Sequence, residues 1–98
     1  MRPLGIIDRN AAAAYLIAQR NPGCPKSMLY ISPRARRMVE WMLEDGYLMP
    51  DGKGVRLTDR GERMGEEWMQ VAYEAGQGSD IEQLAEATLE RYAGRLRG

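Results

Sequence analysis

Three arginines, Arg34, Arg36 and Arg37, crowd the chain just after Ser32-Pro33. A guanidinium presents its N–H donors as a planar fork. That fork fits two oxygens of a phosphate, or the acceptor edge of guanine, bidentately. A serine hydroxyl beside the free amides of a helix start adds donors for the same kind of anion. Ser32 is therefore a candidate phosphate contact, and the three arginines are candidates for phosphates and base edges. A second basic pair, Lys53 and Arg56, flanks Gly54-Val55. Lys26 and Arg20 are further candidates for phosphate. Each group also has a plainer reading. Arg36 and Glu40 have the (i, i+4) spacing of an ion pair worth a few tenths of a kcal/mol, and outward arginines are commonly just solvated. Charges at Lys53 and Arg56 would also discourage a strand edge from pairing with another chain.

Other chemistries lack their residues. The chain has no histidine, which removes the usual proton shuttle and the commonest metal ligand. Cys24 is the single cysteine, so no intrachain disulfide can form. No CxxC pair, GxGxxG turn or phosphate loop occurs, and Gly52-Lys53-Gly54 is too short to cradle a phosphate. Catalysis would have to rest on carboxylates, tyrosine and lysine alone. The expectation is a non-enzyme without cofactor or metal. The seven methionines are read as core filling. No long apolar run or secretory signal is visible, so the expected location is the cytoplasm, with no membrane partner.

Net charge is zero, but its halves differ. Residues 1–60 hold ten Lys/Arg against six Asp/Glu, and residues 61–98 hold four against eight. Such a division bears on partners more than on fold. The acidic residues Glu62, Glu66, Glu67, Glu74, Glu82, Glu86 and Glu90 are read as outer helix faces. They are either solvated or turned away from any polyanion.

The elements that must position these groups follow from periodicity and caps. Residues 1–7 read as an extended lead-in. Asp8 is placed as the cap of a helix over 9–20, with Ile7, Ala11, Ala14, Tyr15 and Ala18 on one face. Asn21-Pro22-Gly23 ends it. A short helix is expected over 25–30. Ser32 is then placed as the cap and Pro33 as the first residue of a helix over 33–45, with Ala35, Met38, Val39, Met42 and Leu43 buried. Gly46 supplies the left-handed residue that stops it. Tyr47-Leu48-Met49 and Val55-Arg56-Leu57 are strand-like around a turn-rich 50–54, which predicts a β-hairpin. Thr58 caps a helix over 59–75, with Met64, Trp68, Val71, Ala72 and Ala75 as its stripe and Gly61 and Gly65 beside them. Gly76-Gln77-Gly78 is a linker. Ser79 and Glu82 have capping-box spacing for a last helix over 80–95, whose apolar face is Ile81, Leu84, Ala85, Thr88, Leu89, Tyr92 and Leu96.

Ile31-Ser32, then Leu43-Glu44-Asp45-Gly46-Tyr47-Leu48, then Leu57-Thr58-Asp59-Arg60-Gly61 occur in that order and spacing. Over residues 9–65 the chain resembles a winged helix-turn-helix domain of small bacterial, archaeal or phage regulators. Its second helix is shorter and lacks the family's Glu-Leu-Ala pattern. The resemblance implies one mainly α domain over 1–98 with a small β-hairpin wing, plus one or two added C-terminal helices over 59–96. It implies a repressor-type transcriptional regulator that binds double-stranded DNA. Helix 33–45 would lie in the major groove, and wing 50–56 on backbone or minor groove. Four to six phosphate contacts would give log affinity against log salt a slope of about −4 to −5. A homodimer is expected through the last two helices, with Met69, Tyr73, Ile81, Leu84, Thr88 and Tyr92 facing the second copy. Trp41 projects off the buried stripe. It either tucks under the lead-in or hairpin, or anchors a protein partner. The competing expectation is a winged-helix protein–protein module, an assembly subunit or phage-type inhibitor, that does not bind DNA.

Overall fold

The computed structural model describes the backbone of residues 6–97 and the side chains of residues 9–93. The fold is mainly helical with a small antiparallel sheet. Helix α1 spans Ile6–Arg20 and is followed by one 3-10 turn, Lys26–Leu29. Then come α2 (Ala35–Glu44), β1 (Leu48–Asp51), β2 (Gly54–Leu57), α3 (Asp59–Glu74) and α4 (Gly78–Arg97). No helix among the described residues is long and apolar enough to cross a membrane.

Helix α1 is the centre of the fold. Every side chain from Ala11 to Ala18 is buried, where periodicity predicts one buried face. Four consecutive alanines are small enough to let other elements close on all sides, and α1 packs against α2, β2, α3 and α4. A helix that is apolar all round belongs inside a fold. Asp8 lies within α1 and is not its cap, because the helix already includes Ile6. Of the lead-in expected over 1–7, residues 6 and 7 are helical and 1–5 lie outside the described residues, as do the side chains of Ile7 and Leu96, predicted on apolar faces.

The predicted start of α2 is two residues early. Ser32, Pro33 and Arg34 form a turn, and Arg34 occupies the cap position without a side-chain hydrogen bond. The Ser32 hydroxyl instead donates to Asn10 Oδ1 of α1 (3.4 Å). Its carbonyl accepts from the Ala35 amide at 3.0 Å. A tertiary partner thus takes the group that would have capped the helix. Ala35, Met38, Val39 and Met42 are buried as expected, and Gly46 turns the chain with φ 78°.

The hairpin is tighter than its turn chemistry predicts. Pairing runs from Leu48–Leu57 to Asp51–Gly54, which leaves Gly52-Lys53 as a two-residue turn. Gly52 has φ 60° and Lys53 is not in the left-handed region, the sign pattern of a type II′ turn. A third stub of strand joins from between α1 and the 3-10 turn. Gly23 N–H donates to the Val55 carbonyl and Val55 N–H to the Cys24 carbonyl, both at 2.9 Å. Val55 thereby spends its backbone on that side, so Pro50, its partner on β1, loses nothing by lacking an N–H. An added Cβ at Gly54 would strike the Gly23 and Cys24 carbonyls, so the approach needs glycine.

Helix α3 is capped as predicted: the Gly61 amide donates to Thr58 Oγ1 at 3.0 Å. Its most buried line is Gly61, Gly65, Met69 and Ala72, whereas Met64, Trp68, Val71 and Ala75 are half-buried. The glycines let α3 sit directly on the Tyr47 carbonyl and the Tyr15 ring. Helix α4 begins at Gly78, so Ser79 lies inside its first turn and the predicted capping box does not form.

Candidate nucleic-acid interface

Arg34, Arg36 and Arg37 are all exposed on the first turns of α2. Among the described residues the one ion pair within 4.0 Å is Arg20–Glu86, at 3.9 Å. The Arg36–Glu40 pair is therefore not made, and the three guanidinium groups are not spent on any described carboxylate. Arg36 has a loose neighbour in Tyr30, whose ring centroid lies 6.0 Å from its guanidinium carbon. The Ala35 amide reaches Ser32 and the Met38 amide reaches Arg34, while those of Arg36 and Arg37 find no backbone acceptor among the described residues. Donors at this helix start therefore outnumber acceptors, which favours an anion there. Glu40 and Glu44 share the exposed side of the same helix.

Ser32 is half-buried and tied to α1 through Asn10. Asn10 is 6% exposed, and its Nδ2 has no hydrogen-bond partner. Among the described residues it is the one buried polar side chain, and it braces the approach to the arginine helix. Caps and periodicity do not single it out; its one sequence signal is its place at the head of a run of four alanines.

Lys53 occupies the hairpin turn and Arg56 the outward face of β2 opposite Met49, all three exposed. Lys26 is exposed at the first position of the 3-10 turn, whereas Arg20 is drawn toward Glu86 of α4. The two basic elements do not touch. The start of α2 sits by Asn10, and the hairpin turn lies near Gly23, beyond the other end of α1. Ten residues of helix separate Asn10 from Arg20, about 15 Å of rise.

Trp41 is 37% exposed. Its ring lies 5.2 Å from Tyr47, at the foot of the hairpin, and 6.1 Å from Trp68 of α3. Tyr47 and Trp68 complete a triangle at 5.4 Å, and the Arg60 guanidinium sits 4.8 Å over the Tyr47 ring. Trp41 thus packs toward the hairpin while keeping an open edge. That edge, with Arg34, Arg37 and Met38, lines a groove of about 590 Å³. The aromatic triangle was not legible beforehand, because its members come from three elements.

The acidic groups lie mostly on the outer faces of α3 and α4. Their field reaches Tyr15, whose phenol is pushed above its ordinary 10 first by burial and then by Glu66 and Glu62. Tyr73 donates to Glu82, and that bond is the main cause holding its phenol up. Of the residues expected to face a second copy, Met69 (7% exposed) and Ile81 are enclosed by the chain itself. Tyr73 and Leu84 are exposed, and Thr88 and Tyr92 are half-buried.

No family model, curated protein or solved structure matches this chain.

Proposed function

We propose that this protein binds double-stranded DNA, with α2 in the major groove and the hairpin on flanking backbone. The observation that carries the reading is the set of three exposed guanidinium groups at the start of α2, with no described carboxylate to neutralise them. The chain order supports it. A helix, a strand stub, a short turn, a helix and a hairpin follow in that order, with β2 between β1 and the stub, an order compatible with a winged helix-turn-helix. The separation of the basic elements is compatible with it too. Half a turn of B-DNA is about 17 Å, similar to the span along α1 between the start of α2 and the hairpin turn. Occupying a site and so blocking or recruiting polymerase would make the protein a small regulator. Of the six residues expected at a homodimer seam, Tyr73, Leu84, Thr88 and Tyr92 remain at least partly open, and Met69 and Ile81 are already covered.

The test is an anisotropy titration of a labelled random-sequence duplex, repeated with Arg34→Ala/Arg37→Ala. Weaker binding and a shallower salt slope are expected. Equal affinity of both proteins at every salt concentration would rule out this surface. A second reading is favoured by the groove at Trp41: a protein partner held by the same face of α2. Its signature is the absence of salt-sensitive DNA retention together with a partner lost in Trp41→Ala.

A further inference from the structure

A cleft of about 230 Å³ lies between the 3-10 turn and α4, and none of the arginines of α2 lines it. Among the described residues no Asp or Glu lines it, and the one ionic side chain that does is Arg91, which has no ion-pair partner among them. Apolar surface comes from Met28 and Ile31 on one wall and Leu84 on the other, and the Tyr30 and Tyr92 side chains complete it. Thr88 adds a hydroxyl whose proton is already given to the Leu84 carbonyl, at 2.9 Å. Ser27 adds a second hydroxyl, so the cleft combines one cation with hydroxyls, two tyrosines and a smaller share of aliphatic surface.

We propose that this cleft binds a small organic carboxylate with an apolar body, its carboxylate on Arg91 and its body between Met28, Leu84 and the tyrosines. Arginine accepts a carboxylate bidentately. Sites for drug-sized ligands run from about 300 to 1,000 Å³, so this one fits a single ring or a short branched chain. An amine would meet Arg91 with like charge and no counter-ion. An occupant would also brace α4 against the segment that leads into α2, because Tyr30 borders both the cleft and Arg36. The same faces of α4 could instead be covered by a second copy of the chain, and the experiment separates the two.

The full chain, labelled with nitrogen-15, is titrated with benzoate, benzyl alcohol and benzylamine, and amide shifts are followed. Benzoate is expected to move amides of residues 26–31 and 84–92, with half-saturation on the order of 1 mM for so small a ligand. The alcohol and the amine should bind about tenfold more weakly or worse. Arg91→Gln, an exposed change that leaves the core intact, should abolish the benzoate response. The proposal is overturned if benzoate shifts nothing at about ten times that concentration, if benzylamine binds as well, or if Arg91→Gln responds like the parent protein. It is also overturned if those amides report self-association that benzoate does not displace. No duplex enters the experiment, so its failure and that of the DNA reading are distinguishable.

Discussion

Gly61→Ala is the sharpest stability test of how α3 is seated. On an isolated helix the change would help, by about 1 kcal/mol, because alanine restricts the unfolded chain and favours helix. In the fold the new methyl would overlap the Tyr47 carbonyl oxygen and would stand 2.9 Å from its carbon and 3.2 Å from Leu57 Cδ2. The carbonyl is backbone and cannot rotate away. It also accepts the Thr58 amide at 3.1 Å, directly ahead of the helix. Moving it therefore weakens a bond worth about 1 kcal/mol net, and more if the amide is left unsatisfied. Overpacking adds about 1–3 kcal/mol. The balance is a loss of about 1–3 kcal/mol after the helix gain. At about 4–8 °C per kcal/mol for a domain of this size, Tm should fall by roughly 5–20 °C. Circular dichroism melts and urea titrations would read it, with an unchanged urea slope. An unchanged or raised Tm would mean that α3 does not lie on the Tyr47 carbonyl, and the seating of the hairpin described above would be wrong.

Thr58→Ala should destabilise by about 1–2 kcal/mol in urea, because its hydroxyl both caps α3 and donates to the Gly46 carbonyl; a loss under a few tenths would contradict both contacts. Trp41→Ala should lower stability by about 1–2 kcal/mol through its two ring contacts, and full retention of the urea midpoint would show that the triangle does not hold the hairpin. Lys53→Ala/Arg56→Ala should make the salt slope of DNA affinity shallower by about 2 without altering the order of preferred sequences; a slope equal to the parent's would remove the hairpin from the contact. Tyr15 and Cys24 are both pushed above their ordinary values of 10 and 9, chiefly by burial. Their neutral forms are favoured by the fold, so their contribution is complete below about pH 9 and is lost as pH rises through the folded values. Urea midpoints should be flat from about pH 7 to 9 and fall above it, and Tyr15→Phe should flatten that fall.

The elements were legible where local chemistry decides them. Gly46 ends α2 with a positive φ, Thr58 caps α3, and the turn residues between Met49 and Val55 specify a hairpin. The buried stripe of α2 was readable because one face carries its bulky apolar residues. Local rules failed wherever a distant partner intervenes. Ser32 has ideal capping chemistry, yet its hydroxyl goes to Asn10, twenty-two positions away. The strand stub at Cys24 has almost no strand signature and exists because Val55 has backbone groups to share. Helix α1 presented a single predicted face, although three other helices enclose it. Of the candidate site, composition and spacing indicated exposed arginines. What they could not indicate was that Arg36 declines Glu40, or that the hairpin turn lies beyond the far end of α1.

The central position of the alanine-rich first helix bears on how the chain is made. That segment leaves the ribosome well before α3 and α4, which supply its walls. A nascent chain stopped before Gly78 would hold part of its core in water, with no wall to close over it. Completion of this core must therefore wait until α3 and α4 have emerged. A stop codon within α4 would strip one wall from α1 and leave the innermost helix of this fold open to water.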